Sequence, residues 1–188
     1  IDLHAPQIQG FFRIPVDDLY ALPVLGKAIK AKKLQNLVVV SPDTGFVKQA
    51  RRYATLLQCN LAIGDKERIN HDENAEILQI IGDVKGKTAM IVDDFAISAG
   101  TLVEIANTLI EKGASSVYAA ITHGVFAPGT KERIDDSPIT KLLVTDSIET
   151  QPTPMSDKVE IVSVAAYLGE AIRRIHNRES ISVLFSNA

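Results

Sequence analysis

An acidic pair followed by small residues is the feature of this sequence with the clearest chemical potential. Asp93 and Asp94 come directly after an apolar segment, and the small or hydroxyl-bearing residues of 96–101 precede a segment with helical spacing. Small residues let backbone N–H groups turn toward a common point, and a helix N-terminus favours an anion such as phosphate. Carboxylates beside that point suit sugar hydroxyls or a hydrated Mg²⁺. The alternative is an ordinary strand–turn–helix in which Ser98 or Thr101 caps the helix.

A second loop of similar type covers residues 41–46, again between an apolar segment and a segment of helical period. Gly45 permits either a close backbone approach or a positive φ angle, so this loop could hold a second anion such as a pyrophosphate. The alternative is a helix N-terminus capped by Asp43 or Thr44.

The charged segment 64–73 has the composition of a flap. Lys66 and Arg68 could fold over bound phosphates and neutralise charge in a transition state. The alternative is a solvated surface loop, which is the more common meaning of such a charged run.

Near the N-terminus, Asp2 and His4 alternate in a stretch that has the pattern of a strand, so we expect both side chains on the same side. A carboxylate and an imidazole together can hold a metal ion or a nucleotide phosphate. The alternative is that the two residues are structural or exposed.

Apolar segments of strand length alternate with segments of helical period along most of the chain. The predicted strands are 37–41, 61–63, 88–92, 117–122, 142–145, 159–162 and 181–185. The predicted helices are 46–58, 101–112, 131–134 and 164–176, and segment 74–81 fits either a strand or a helix. This alternation predicts an α/β fold with a mostly parallel sheet flanked by helices. Ligands bind such sheets at the carboxyl ends of the strands, where the loops described above lie.

The composition is that of an ordinary globular protein and disfavours several functional classes. The 188 residues are 46% hydrophobic and 23% charged, with a formal net charge of -3. Nucleic-acid binding normally needs a positive excess, so we expect none. The sequence has no apolar run of about 18 residues, so we expect no membrane-spanning helix. The one cysteine, Cys59, excludes an intramolecular disulfide framework. Because the sequence starts at Ile1 without a Met, we expect it to be a piece of a longer or processed chain.

Several segments of the chain form a set of longer motifs. They are DLHAPQIQGFF (2–12), IPVD (14–17), VSPD (40–43), GDVKGK (82–87), DDFAISAGT (93–101), THG (122–124) and EAIRRIHN (170–177). Together they resemble the ribose-phosphate pyrophosphokinase family, also called phosphoribosyl pyrophosphate synthetases. The resemblance runs from Asp2 nearly to Phe185, and several of its motifs are too long and specific for chance similarity.

The resemblance implies a type I phosphoribosyltransferase-like fold and Mg²⁺-dependent transfer of a diphosphoryl group from ATP to the 1-hydroxyl of ribose 5-phosphate. It implies catalytic roles for Lys66, Arg68, Asp93 and Asp94. It implies that ribose 5-phosphate contacts Asp93, Asp94, Ile97, Ser98, Ala99, Gly100 and Thr101, the last four around the 5-phosphate. It places the nucleotide and pyrophosphate on His4, Asp43, Thr44 and Gly45. It draws the metal ligands from Asp2, His4, Asp17 and Asp43.

The resemblance also implies a domain organisation. Residues 1–20 would be the remnant of an N-terminal domain, 21–165 the phosphoribosyltransferase-like domain, and 166–188 a C-terminal helix and strand. The implied partners are ATP and ribose 5-phosphate, with no nucleic acid and no membrane. The full-length form is expected to be a cytoplasmic homo-oligomer. The chain alone is expected to be inactive, because the missing first domain supplies part of the ATP site.

The chain departs from the family pattern at a few positions. Ile97 and Arg13 stand where acids are usual, Phe46 where a second glycine is usual, and Glu67 where a base is common. Ile97 and Phe46 favour one alternative, a catalytically silent synthetase-associated regulatory subunit. A phosphoribosyltransferase is another, although the 2–12 motif argues against it. A cavity filled by Phe46 or Ile97 would overturn the phosphate-binding hypothesis.

Overall fold

The computed structural model describes residues 1–68, 76–149 and 155–186, and these contain a seven-stranded sheet. The strands are β1 (Leu37–Ser41), β2 (Asn60–Arg68), β3 (Glu76–Ile81), β4 (Thr88–Ala96), β5 (Ser116–Gly124), β6 (Ile139–Thr145) and β7 (Val159–Val162). The helices are α1 (Leu22–Ala31), α2 (Val47–Leu57), α3 (Gly100–Glu111), α4 (Thr130–Asp135), α5 (Ala165–His176) and α6 (Ser182–Ser186), and a 3₁₀ helix covers Pro6–Phe11. No helix in these ranges has the length and apolar character needed to cross a membrane.

The strand order is β3-β2-β1-β4-β5-β6-β7. Each neighbouring pair from β2 to β7 is parallel, and β3 runs antiparallel to β2. The predicted mostly parallel sheet flanked by helices is confirmed. Because β1 and β4 are adjacent at the centre, the loops that leave their carboxyl ends lie side by side.

The central strands are buried on both faces, which explains their continuous apolar sequences. Val38 and Val40 pack in the cluster that contains α3, whereas Val39 packs on the other face with α1 and α2. On β4, Ile91 packs in the cluster that contains α3, and Met90 packs in the cluster with α1 and α2. All five side chains are fully buried. The core therefore has two layers, one on each side of the sheet, and both hold β4 in place.

Helix α3 follows its predicted pattern closely. Its buried residues, Leu102, Ile105, Ala106 and Leu109, lie on one face of the helix. Gly113 lies just beyond the helix with φ 87°, which only glycine adopts at little cost, so it ends the helix.

The predicted C-terminal strand at 181–185 is wrong, because these residues begin helix α6. Leu184 is buried against Leu19, and Ile181 and Phe185 pack around the same cluster. Positions i, i+3 and i+4 share one face of a helix, so this spacing buries the three apolar side chains without a partner strand.

The segment that was predicted as a short strand at 61–63 is longer. β2 pairs with β1 only up to the register Ser41–Ile63, and from there to Arg68 it pairs only with β3. The segment 74–81, which fitted either a strand or a helix, is strand β3 over its described part. Residues 64–68 and 76–80 therefore form an overhanging hairpin beyond the carboxyl end of β1. Residues 69–73 of the predicted flap lie outside the described residues.

Candidate functional site

The candidate site lies at the carboxyl ends of β1 and β4, where the sequence analysis placed it. β4 does not end at Val92, as predicted, but continues through Asp93 and Asp94 to Ala96. It continues because β5 is also longer and keeps pairing with it, in the registers Asp93–Ile121 and Ala96–Gly124. The two acids therefore belong to the sheet itself.

Two adjoining cavities of about 320 and 300 Å³ open at this edge. Both are lined by His4, Asp43, Asp93 and Asp94. These four residues come from three separate segments of the sequence, and the structure brings them together. The smaller cavity is additionally lined by the loop 95–101, which leads into α3, and the larger one by Gly45 and Phe46.

The loop in front of α3 turns through an alanine in the left-handed region. Ala99 has φ 56° and occupies the N-cap position of α3, where its methyl side chain makes no capping hydrogen bond. The hydroxyl of Ser98 accepts a hydrogen bond from the Gly100 N–H at 3.3 Å, and Thr101 lies in the first turn with its side chain exposed. The positive end of α3 thus faces the smaller cavity, as an anion site requires.

Three hydrogen bonds from the segment around α4 fix this loop. The carbonyl of Ile97 accepts bonds from the Ala127 N–H at 2.7 Å and the Thr130 hydroxyl at 3.3 Å. The guanidinium of Arg133 donates to the carbonyl of Ser98. Thr130 and Arg133 were not predicted from the sequence, because they are more than 30 residues away and belong to none of the motifs.

Neither of the two bulky residues that could have filled the site does so. Ile97 is 52% exposed and lines the wall of the smaller cavity. Phe46 lines the larger cavity and packs partly against the core beside α2. The condition that would have overturned the phosphate-binding hypothesis is therefore not met.

The loop that leaves β1 is shaped by its own acid. Asp43 Oδ1 accepts a hydrogen bond from the Phe46 N–H at 3.0 Å, and its carbonyl accepts one from the Ser41 hydroxyl at 2.8 Å. Asp43 therefore makes a capping-type contact ahead of α2, and Gly45 beside it lies outside the positive-φ region. Thr44 is exposed and lines neither cavity.

The carboxylates of the site repel one another. Burial raises the pKa of Asp93 to about 8, and the negative charges of Asp94 and Asp43 add to the rise. A hydrogen bond from the Asp94 N–H to Asp93 Oδ1, at 2.9 Å, opposes it. A cation or a set of hydroxyl donors in the cavity would relieve this repulsion.

His4 faces both cavities beside the acid pair. Its Nδ1 lies 2.7 Å from Asp94 Oδ2, and its ring meets Phe95 edge-on with 4.8 Å between centroids. A carboxylate on one ring nitrogen fixes the orientation of an imidazole and leaves the other nitrogen free for a ligand.

The four residues expected to supply metal ligands do not form one group. Within the described ranges, no three His, Cys, Asp or Glu side chains are arranged to hold a metal ion. The stretch 2–4 is not a strand as predicted, since Asp2 has φ 44°, and the Asp2 carboxylate accepts bonds from Ala21 N–H and Thr122. Asp17 is exposed and lines neither cavity.

Asp18 takes the place expected for Asp17 at the edge of the larger cavity. Its Oδ1 accepts a hydrogen bond from the Leu3 N–H at 3.2 Å. The segment 13–19 has no regular secondary structure, so no periodic pattern indicates which of two adjacent acids faces the site. Of the predicted metal ligands, His4 and Asp43 remain at both cavities.

Lys66 and Arg68 lie on the overhanging hairpin. Their backbones pair with those of Leu78 and Glu76 on β3. Since the hairpin extends past the last β1–β2 pair, both residues lie beyond the carboxyl edge of the sheet, on the side of the site.

Comparison with known proteins identifies the family of the chain. The model of the phosphoribosyl synthetase-associated domain matches residues 69–186. The crystal structure of phosphoribosylpyrophosphate synthetase from Mycobacterium smegmatis superimposes with a TM-score of 0.84 at 33% identity, covering 94% of this chain and 57% of that one. This similarity confirms the type I phosphoribosyltransferase-like fold.

Curated relatives give the same result. Ribose-phosphate pyrophosphokinase from Oceanobacillus iheyensis is 48% identical over 98% of this chain, and that from Thermosipho africanus is 50% identical over 98%. The chain spans 58% of the length of each. It corresponds to their C-terminal part. The chain therefore belongs to the phosphoribosyl synthetase-associated domain family and is similar to ribose-phosphate pyrophosphokinases over nearly its whole length.

Proposed function

We propose that this chain is the ribose 5-phosphate-binding part of a ribose-phosphate pyrophosphokinase. The observation that carries the proposal is the open cavity between the N-terminus of α3 and the acid pair Asp93 and Asp94. In the proposed complex the 5-phosphate accepts N–H and hydroxyl bonds from residues 98–101. The pair of carboxylates accepts bonds from the ribose hydroxyls.

In the proposed reaction the 1-hydroxyl oxygen of ribose 5-phosphate attacks the β-phosphorus of ATP. The bond from that phosphorus to the α,β-bridging oxygen breaks, and AMP leaves with the electron pair. The hydroxyl proton passes to Asp93, because burial and the charges of Asp94 and Asp43 raise its pKa and so make its carboxylate a stronger proton acceptor than an ordinary aspartate. Catalysis of this kind is mostly positioning and charge neutralisation. Lys66 and Arg68 would supply positive charge from the overhanging hairpin.

The residues of the site fit a magnesium ion that is shared with the substrates. Mg²⁺ keeps several waters and takes one or two carboxylates together with substrate phosphates, so it needs no group of three protein ligands. The mutual repulsion of Asp93, Asp94 and Asp43 is the feature that a divalent cation would relieve. When bound, the ion would neutralise charge on the transferred phosphates. His4, Asp43 and Gly45 would form the nucleotide and pyrophosphate side.

Calorimetric titration with ribose 5-phosphate in the presence of Mg²⁺ tests the proposal. We expect binding, with ribose and inorganic phosphate each binding more weakly than the sugar phosphate. Replacing Thr101→Val removes a hydroxyl from the cavity and is expected to weaken binding by about tenfold, since bonds to charged groups are the stronger ones. Thr108→Val, two turns along α3, is the matched control. The absence of both a binding heat and a change in melting temperature at millimolar ribose 5-phosphate would overturn the proposal.

Turnover is a separate part of the proposal. This chain spans 58% of the length of its relatives. We propose that the remaining part supplies the rest of the nucleotide site, so we expect no AMP formation from ATP and ribose 5-phosphate by this chain alone. Detectable AMP would refute that expectation. The catalytically silent alternative is favoured by the uncharged Ile97 in the cavity wall, and it predicts binding without turnover in the full-length form as well. A homo-oligomeric full-length form and a cytoplasmic location remain predictions.

A further inference from the structure

Residues 1–5, called the arm here, carry His4 to the site without forming a helix or a strand. The arm turns at Asp2, whose φ of 44° is unusual for a residue with a side chain. The Asp2 N–H donates a backbone bond to the carbonyl of Leu19 at 2.7 Å, and the Leu3 N–H donates to the side chain of Asp18 at 3.2 Å. The position of His4 therefore depends on side-chain contacts to the arm.

The first of these contacts comes from the end of β5. The Thr122 hydroxyl donates a hydrogen bond of 2.6 Å to Asp2 Oδ2, and the Ala21 N–H donates one of 3.0 Å to the same oxygen. Thr122 is 1% exposed, so water cannot replace its hydroxyl as a donor. The carboxylate of Asp2 is thereby held between the sheet and the start of α1.

The second contact comes from the next residue of β5. His123 Nε2 lies 3.1 Å from the carbonyl of Ile1 and 3.3 Å from that of Asp2, and since carbonyls only accept, Nε2 carries the proton. Its Nδ1 lies 2.8 Å from the Ser147 hydroxyl, which orients the ring. His123 pairs in register with Phe95 of β4, the residue against which the His4 ring packs.

We propose that Thr122 and His123 are positioning residues that act through the arm to hold His4 against Asp94. They line neither cavity. Thr122 and His123 bond the end of β5 to the arm, and His4 of the arm contacts Asp94 and Phe95 at the end of β4. The arm is therefore bonded to both strands beside the site. The role of His4 toward a ligand rests on the proposed function; the positioning itself does not.

The direct test is the imidazole NMR spectrum of the chain, with the His4 signals assigned by their loss in His4→Gln. We expect Thr122→Val to shift or broaden the Nδ1 signal of His4 that reports its bond to Asp94, and Thr122→Ser to restore it. Ser116→Ala, which removes a hydroxyl at the other end of β5, is the matched control and leaves the signal unchanged. An unchanged His4 signal in folded Thr122→Val overturns the inference.

Ser147→Ala provides a second variant in case Thr122→Val does not fold. Ser147 is half-buried at the sheet edge, and its loss frees the ring of His123, so the His4 signal is again expected to shift. An unchanged signal here also overturns the inference.

Binding of ribose 5-phosphate separates the positioning role from the proposed function. Because His4 is bonded to Asp94, which is proposed to accept bonds from the ribose hydroxyls, Thr122→Val is expected to weaken this binding by about fivefold. A wild-type chain that fails to bind refutes the proposed function, and the NMR result still decides the positioning role.

Discussion

The carbonyl oxygen of Pro42 lies 2.6 Å from the position that a Cβ atom on Gly64 would occupy. Gly64 is the first residue of β2 beyond its last pair with β1. The contact is with backbone, which cannot rotate away as a flexible side chain can. Glycine at this position therefore lets the loop that carries Asp43 lie directly against the base of the overhanging hairpin that carries Lys66 and Arg68.

We expect Gly64→Ala to lower the free energy of unfolding by about 1–3 kcal/mol, the usual cost of forcing extra volume into a packed position. Urea unfolding measures it. Gly169→Ala is the matched control, because a Cβ at Gly169 has no atom within 4 Å. Alanine in that exposed helix is expected to stabilise the protein by up to about 1 kcal/mol. Equal stabilities of Gly64→Ala and wild type would contradict the prediction.

The raised pKa of Asp93 predicts a pH dependence of stability. Between the ordinary carboxyl value and about 8, the folded state binds a proton that the unfolded state has lost, so the free energy of unfolding falls as the pH rises. The charged groups that face Asp93 are Asp94 and Asp43, with His4 bonded to Asp94. Asp93→Asn removes the ionisable group, and we expect it to flatten this fall and to stabilise the protein at pH 8.

Chemical unfolding at a series of pH values from 4 to 9 would measure the effect. Asp83→Asn is the control, because hydrogen bonds with Lys87 and Lys85 lower the pKa of the exposed Asp83. The contribution of Asp83 to the free energy of unfolding changes with pH only at and below the ordinary carboxyl pKa. Asp83→Asn is therefore expected to keep the wild-type dependence of stability on pH between pH 5 and 8. A slope that persists in Asp93→Asn would show that another group causes it.

Arg133 is expected to stabilise the conformation of the loop before α3, since it donates to the Ser98 carbonyl. Arg133→Ala removes this donor, so we expect faster amide hydrogen exchange over residues 98–101 and about threefold to tenfold weaker binding of ribose 5-phosphate. Lys131→Ala on the same helix is the control, because Lys131 pairs with Asp135 instead. Identical exchange in wild type and Arg133→Ala would argue against this role.

Helix α2 ends at Gln58, a position at which glycine is expected to make the protein more stable. Gln58 is exposed and has φ 54° and ψ 46° at the C-cap, a left-handed conformation that costs about 1 kcal/mol for a residue with a Cβ. We therefore expect Gln58→Gly to stabilise the protein by about 0.5–1 kcal/mol in thermal or urea unfolding. Arg51→Gly, in the exposed middle of α2, is expected to destabilise it by about 1 kcal/mol. Destabilisation by both variants would refute the capping argument.

Most of the fold could be predicted because the central strands and α3 have patterns that local sequence shows directly. The C-terminal segment was misassigned because Ile181, Leu184 and Phe185 satisfy both a short apolar run and a helical spacing. Tertiary contacts, with Leu19 and with Ala171 of α5, decide between these two possibilities. The length of β4 likewise depended on its neighbour, since β5 pairs with it past the two acids.

The site could be predicted as far as the topology determines it. His4, Asp43, Asp93 and Asp94 meet because their segments converge at the carboxyl ends of adjacent strands. Hydrogen bonds between residues far apart in the sequence were not predictable, since no local signal connects Arg133 with Ser98 or Thr122 with Asp2. In the irregular segment 13–19, no local pattern indicates that Asp18 rather than Asp17 lines the larger cavity.

Asp93 of β4 pairs in register with Ile121 of β5, and Asp94 lies between this pair and the pair Phe95–His123. Displacing the two acids therefore requires the end of β4 to separate from β5, which costs more free energy than moving a surface loop. Warming the protein is expected to preserve the arrangement of the acids until these two strand ends separate.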